Sequence, residues 1–138
     1  MINKPCFLFC DGACRGNPGH GGAGAVLLDE KGDVLLTVNK YLGLCTNNIA
    51  EYMALIYGLD ETIKSGCRKL EIFLDSELLV KQINKDYRVK NPNLIELMKE
   101  VRKRLENFDD YKVSHIPRIQ NKTADRLANE AIDEAMQT

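Results

Sequence analysis

Hydrophobic and polar positions change period several times along the 138-residue chain, and each change marks an element. Residues 5–10 (PCFLFC) are a short apolar strand that stops at Asp11-Gly12. The stretch from Gly12 to Gly24 holds six of the ten glycines and one proline, so it is expected to begin as a loop or tight turn. Residues 23–29 (AGAVLLD) and 33–41 (DVLLTVNKY) read as two strands, with Glu30-Lys31-Gly32 as the hairpin connection between them. Residues 48–64 read as a helix with two apolar faces, Ala50, Met53, Ala54 and Tyr57 on one and Tyr52, Ile56, Leu59 and Ile63 on the other. A helix apolar on two faces is well buried. Ser65-Gly66 ends it with a C-terminal glycine signal.

The second half alternates in type. Residues 69–74 (KLEIFL) form a strand and 76–85 a short helix, and Asn91-Pro92-Asn93 opens another helix. In that helix Leu94, Met98, Val101, Leu105 and Phe108 recur at spacings of four and three. Residues 111–117 (YKVSHIP) form a last strand, and 121–136 a final helix with Leu127, Ala128, Ala131, Ile132 and Ala135 inward. The order β-β-β-α-β-α-α-β-α predicts three antiparallel strands joined by short turns. The two later strands then add in parallel through right-handed crossovers. The expected fold is α/β: a five-stranded mixed sheet with helices on both faces, residues 1–138 forming one domain.

Composition narrows the class. A hydrophobic fraction of 44% and a charged fraction of 28% describe a soluble globular chain. No apolar run approaches the roughly 20 residues that span a bilayer. The apolar run Cys6 to Cys10 is shorter than the roughly 7–15 residues of a secretory signal. A cytosolic location is expected. The net charge of −1 argues against a purely electrostatic nucleic-acid binder. Cys6, Cys10, Cys14, Cys45 and Cys67 are odd in number and include no C-x-x-C pair, so free thiols in a reducing compartment are expected. A strand followed by a glycine-rich loop would point Cys6, Cys10 and Cys14 in different directions. His20 and His115 lie far from any cysteine pair, which argues against zinc.

Candidate chemistry sits at element ends. Asp11 ends the first strand and Asp75 the fourth, while Glu51 and Asp125 fall in the first turns of two helices. If the first and fourth strands are parallel neighbours, Asp11 and Asp75 project together at the carboxyl edge of the sheet, where ligands of open α/β sheets bind. Four converging acids repel one another unless divalent cations neutralise them, and oxygen-only ligation points to Mg2+ or Mn2+. Two such ions about 3.5–4 Å apart can clamp the attacking and leaving oxygens of a phosphodiester. Each acid also has a structural alternative. Asp11-Gly12 is a possible turn. Glu51 could complete a capping box begun by Asn48. Asp75 or Ser76 could cap the following helix, and Asp125 could serve the helix dipole.

The same residues carry a family signature. FCDGACRGNPGHGGAGAVL resembles the DG-(A/S)-x-x-GNPG opening of type 1 ribonucleases H, and TNNIAEYMALIYGL resembles their TNN-x-x-E-x-x-A helix start. FLDSELLVKQI is similar to the DS-x-x-(V/L) segment, and IPRIQNKTADRLANEA to the final N-x-x-AD-x-LA helix. All four occur in the family's order across residues 6 to about 135. The resemblance implies the ribonuclease H fold, with Asp11, Glu51, Asp75 and Asp125 as metal-binding catalytic acids. It implies hydrolysis of the RNA strand of an RNA–DNA hybrid by in-line attack of water. Two Mg2+ ions serve, Mn2+ can substitute, and the ends left are 5′-phosphate and 3′-hydroxyl.

The resemblance also implies contacts. The backbone at Gly12, Ala13 and Cys14 would touch the RNA strand, as would Glu77 near the scissile phosphate. Glycine permits that close approach, and the 2′-hydroxyl distinguishes RNA from DNA. Asn17, Asn47 and Asn48 would reach the minor-groove side, and Thr46 would help seat a DNA phosphate. The chain departs from the pattern twice. The stretch INKDYRVKNPNLIEL replaces the basic, tryptophan-containing insertion of the best-known bacterial members, leaving Lys81, Lys85, Arg88 and Lys90 as a modest patch or a solvated surface. The loop PRIQNKT lacks the histidine many members carry there, so either turnover would be slower or Arg118, Gln120 or Lys122 would partly substitute. His115 is expected to pack or bond inside the last strand, and His20 to be exposed. A non-catalytic hybrid-binding module is the alternative. A monomer is expected.

Overall fold

The structure is a computed structural model that describes residues 4–85 and 87–137. The element order is the expected one: β1 (Cys6–Gly16), β2 (Gly19–Leu28), β3 (Val34–Cys45), α1 (Asn47–Lys64), β4 (Lys69–Leu74), α2 (Glu77–Ile83), α3 (Pro92–Leu105), β5 (Asp110–His115) and α4 (Lys122–Met136). A short 3-10 turn at Arg118–Gln120, absent from the sequence reading, precedes α4. The strands form one five-stranded sheet in the order β3-β2-β1-β4-β5. β1 pairs antiparallel with β2, β2 antiparallel with β3, β1 parallel with β4, and β4 parallel with β5.

Strand alternation assigns the two faces. Cys6, Leu8 and Cys10 on β1 are buried, as are Leu70, Ile72 and Leu74 on β4. They join Leu55 and Leu59 of α1 and Met98, Val101 and Leu105 of α3 in one core. The inward register predicted for α3 is borne out at Leu94, Met98, Val101, Leu105 and Phe108. On α4, Leu127, Ala128, Ala131 and Ile132 are buried, whereas Ala135, expected to face inward, is exposed. Tyr52 of α1 donates to Gln82 Oε1 of α2 at 3.0 Å, a buried polar tie within the same layer.

The main correction concerns the glycine-rich segment. It is not a loop. β1 continues through Asp11 to Gly16, and β2 begins at Gly19, so the register Asp11↔Gly24, Gly12↔Ala23, Ala13↔Gly22 and Cys14↔Gly21 is unbroken. The glycines serve helix approach. A β-carbon on Gly12 would collide with the backbone of Ala50 and Glu51 in α1, one on Gly22 with Ala128 O, and one on Gly24 with Ala124 O and Ala128 N in α4. Bare Cα atoms thus let α1 and α4 close on opposite faces of the same strands. Because the strand does not bend away, Cys6, Cys10 and Cys14 share one face instead of diverging. All five cysteines are free.

β3 also runs four residues beyond the expected Tyr41, carried past a register shift at Gly21/Gly22. The connection from β2 to β3 is closed by Asp29, whose Oδ1 accepts from Lys31 N at 2.9 Å and Asp33 N at 3.0 Å, with Gly32 at φ +85. Gly24→Ala should lower stability by about 1–3 kcal/mol, because overpacking against backbone cannot relax by side-chain rotation. Gly32→Ala meets no atom within 4 Å and should cost about 1 kcal/mol from backbone strain alone. Urea unfolding midpoints of the two variants, compared with the parent, check this order.

Candidate active site

The parallel ladder between β1 and β4 stops at Cys10↔Leu74. Asp11, still within β1, and Asp75, the first residue after β4, directly follow that last pair. Asp11 is therefore at the end of a ladder and in the middle of a strand, rather than at a strand end. Glu51 enters from α1. Its helix is capped by Thr46, whose hydroxyl accepts from Ile49 N at 3.3 Å, so Glu51 lies in the second turn and belongs to no capping box. Ser76 caps α2 by accepting from Leu79 N at 3.2 Å, which leaves Asp75 free of capping duty. Asp125 occupies the first turn of α4.

All four acids line one cavity of about 410 Å3, together with Gly12, Ala13, Cys14, Asn47, Arg118 and Asn129. Asp11 is the most enclosed, 9% exposed. Its carboxyl is pushed up to about 8, first by burial, then by the charge of Asp75, by hydrogen bonding and charge from Asp125, and by Glu51. Burial also raises Glu51, Ser76 draws it back by hydrogen bonding, and Asp75 raises it again. Among the described residues, no three His, Cys, Asp or Glu side chains are grouped as a finished cation cage. The donor set nevertheless fits a hard divalent cation: four carboxylates, no thiolate or imidazole, and an acid that must hold a proton unless positive charge replaces it.

Two amides hold the acids in place, and sequence reasoning did not assign either. Asn121 stands at the N-cap position of α4 yet makes no side-chain cap. Its Nδ2 donates instead to Asp75 Oδ2 at 3.0 Å and to Cys10 O at 2.8 Å, and the residue is 1% exposed. The N-x-x-A-D segment contains this asparagine, but its partners lie 46 and 111 residues away. Asn129 donates to Asp125 O at 3.0 Å and Asp125 Oδ1 at 3.3 Å from one turn further along α4, and Arg15 Nη2 reaches Asn129 Oδ1 at 3.3 Å. An i, i+4 pair of this kind is visible in sequence only once the helix is fixed.

The remaining expected residues divide between two places. Asn17, Thr46, Asn47 and Asn48 line a polar cavity of about 400 Å3, joined by Asn91 and Asn93, which sequence reasoning used only as a helix start. Asn47 borders both cavities. Asn17 Oδ1 accepts from Asn47 N at 3.1 Å, tying the β1–β2 turn to the start of α1. Glu77 stands apart from the four acids, paired with Lys81 at 3.0 Å, and that hydrogen bond holds its carboxyl below the usual range. Its neighbour His115 is exposed at the end of β5, and among the described residues its ring makes no side-chain hydrogen bond, contrary to the packed role expected. His20 is half-buried rather than exposed, its Nδ1 2.7 Å from Tyr41 OH. Of the basic patch, Lys81 serves Glu77, while Lys85 and Arg88 line a separate cavity of about 560 Å3 with Lys99 and Arg102. Among the three candidates for the missing histidine, Arg118 reaches the acid cavity, 4.0 Å from Asp125 Oδ1 and 83% exposed.

The Asp11 shift has a thermodynamic consequence. With its carboxyl at about 8 in the folded state and 3.8 as reference, the folded chain keeps a proton that the unfolded chain releases. Stability therefore falls as pH rises from about 4 to about 8. Without metal, Asp11→Asn should be more stable than the parent by on the order of 1–3 kcal/mol near pH 8, with the gain vanishing toward pH 4. Denaturant unfolding at both pH values in chelator checks the sign. Added Mg2+ should narrow the gap by stabilising the parent.

Residues 9–131 match the model of the reverse transcriptase-like family. The chain is 40% identical over 129 residues to the bifunctional protein Rv2228c of Mycobacterium tuberculosis, covering 93% of this chain and 35% of that protein. It is 39% identical over 127 residues to ribonuclease HI of Halobacterium salinarum, covering 92% of this chain and 64% of that one. This chain thus spans about a third and somewhat under two thirds of those relatives. The crystal structure of RNase H1 from Halobacterium salinarum superposes with a TM-score of 0.92 at 38% identity, covering 94% of this chain and 98% of that one. LC11-RNase H1, solved in complex with an RNA/DNA hybrid, superposes with a TM-score of 0.91 at 40% identity, covering 96% and 99%. On sequence and fold together, the chain belongs to the reverse transcriptase-like family and, within it, to the type 1 ribonucleases H.

Proposed function

We propose that this protein is an endonuclease that hydrolyses the RNA strand of RNA–DNA hybrids using two divalent ions, Mg2+ with Mn2+ able to substitute, and leaves 5′-phosphate and 3′-hydroxyl ends. The observation that carries the reading is the cavity lined by Asp11, Glu51, Asp75 and Asp125, four carboxylates delivered by four different elements. Bound there, divalent cations would supply the positive charge that activates water and stabilises the leaving oxygen. Asp75 would be held in its ligating orientation by Asn121, and Asp125 by Asn129. Such supporting amides fix a ligand's lone pairs before the cation arrives.

Substrate selection follows from the free edge of β1. Among the described residues, that strand is paired past Cys10 with β2 alone, so the main-chain groups on its other edge at Gly12, Ala13 and Cys14 are left without a ladder partner and border the acid cavity. Unpaired strand edges are donors and acceptors in search of a partner, and ribose 2′-hydroxyls on a hybrid's shallow minor groove are suitable ones. Asn17, Asn47 and Asn48 would extend the contact into the adjoining polar cavity. The Thr46 hydroxyl accepts from Ile49 N, which leaves its own proton free for a DNA phosphate oxygen. Glu77, outside the acid cluster, would meet the RNA strand at the rim. We take residues 1–138 as one such domain, working as a monomer in the cytosol, where free thiols persist. None of the described helices is long and apolar enough to cross a membrane.

Asp75→Asn should abolish cleavage of a labelled hybrid, by at least about 100-fold, while leaving the fold intact by circular dichroism. Cleavage retained in excess Mg2+ would sink the assignment. Asn121→Ala should lower kcat by about 10- to 100-fold through a misdirected Asp75. A product map on a hybrid and on a matched DNA duplex should show RNA fragments with 5′-phosphates and an uncut DNA duplex.

A further inference from the structure

Beyond the acids, the α1 face of the sheet carries two thiols that the reaction does not use. Cys14 on β1 pairs across the ladder with Gly21 of β2, and Cys45 ends β3 on the far side of β2, opposite Gly19. A β-carbon on Gly21 would collide with Cys45 Sγ, so the Cys45 thiol fills the space over that bare Cα. Cys14 rises on the same face at the paired position, with its Sγ 2.6 Å from Gly16 O and 3.1 Å from Cys45 O. The Cys14 sulfur thus reaches the main chain of Cys45 itself, and Cys14 adds to burial in pushing the Cys45 thiol up. Their surroundings differ. Cys14 is half-buried and borders the acid cavity, whereas Cys45 is 8% exposed and directly precedes Thr46, the cap of the helix that carries Asn47, Asn48 and Glu51.

We propose that Cys14 and Cys45 form a dithiol site whose oxidation to a disulfide weakens substrate binding at the neighbouring cavity. The oxidant class is a peroxide. The accessible Cys14 sulfur attacks one peroxide oxygen, the O–O bond breaks, and water leaves, giving a sulfenic acid. The Cys45 sulfur then displaces the sulfenic oxygen, the S–S bond forms, and a second water leaves with the remaining thiol proton. Two thiols lose two electrons and one hydrogen peroxide becomes two waters. To close the bond Cys14 must give up its contacts with Gly16 O and Cys45 O, drawing the free edge of β1 toward the root of α1. That edge is the one assigned to the RNA strand, so the functional half of this inference rests on the proposed function. Cys6 and Cys67 are 0% and 3% exposed, and Cys10 is 2% exposed, which shields all three.

The test uses the full chain, oxidised with stoichiometric hydrogen peroxide before metal is added, alkylated, and mapped as peptides without reduction. The expected map links Cys14 to Cys45 and finds Cys6, Cys10 and Cys67 alkylated only after unfolding. Hybrid KM should rise roughly tenfold, as displacement of a positioning backbone by a fraction of an ångström predicts, and dithiothreitol should restore it. In Cys45→Ser, compared with its own reduced form, both the linked peptide and the reversible KM change should disappear. A native protein that yields no Cys14–Cys45 peptide, or a linked form with unchanged KM, overturns the proposal. If the reduced protein does not cleave hybrids at all, the proposed function fails separately. The linkage is still read from the map, and hybrid affinity by fluorescence anisotropy takes the place of KM.

Discussion

Asp11, Glu51, Asp75 and Asp125 stand around one cavity, and like charges so placed repel with an energy that grows as water is excluded. Left alone they would spread apart or take up protons, and Asp11 does the latter, its carboxyl lifted well out of the ordinary range. The rest of the site can be understood as the means of holding the quartet together. Each acid is fixed to a different element, so no local hinge can relieve the repulsion. Asn121 is the clearest part of that restraint. It gives up a helix cap, usually worth about 1 kcal/mol, in order to join the last helix to Asp75 and to the main chain of β1 in a single buried amide.

Such restraint requires close approach of layers, which the glycines of β1 and β2 provide. α1 lies against Gly12 and α4 against Gly22 and Gly24, one on each face. Side chains at these positions would push both helices outward and carry Glu51 and Asp125 away from Asp11. The glycines therefore act on the site through packing distance. The same bareness at Gly21 makes the space that Cys45 fills, so the two thiols meet through the feature that lets the acids converge.

The element order, the parallel addition of the later strands and the inward face of α3 were legible in the sequence, because long periodic segments bury one face and reveal it. The four acids were legible too, though spacing alone left a turn or cap role open for each. Three things were hidden. The glycine-rich segment looked like a loop, since a residue type that breaks isolated strands is tolerated in a strand flanked by helices on both faces. Asn121 and Asn129 act across long separations or through a helix register that must first be known. The environment of His115 depends on where β5 stops relative to α2, and one residue at a strand end decides between packed and exposed.

The termination of a ladder turns this fold into a site. β4 leaves β1 after Cys10 while β2 continues beside it to Gly16, so the sheet has an interior notch in which one strand edge is bare. A bare edge inside a protein is costly unless something satisfies it. Here Asn121 takes the carbonyl of Cys10 at the apex of the notch, and the acids occupy its mouth. On the proposed function, the backbone farther along β1 would be left for a ligand that offers both a phosphate for cations held by the acids and hydroxyls for the strand. A nucleic-acid strand containing ribose offers both at the repeat of one nucleotide, which is why the notch and the quartet are read together as one binding surface.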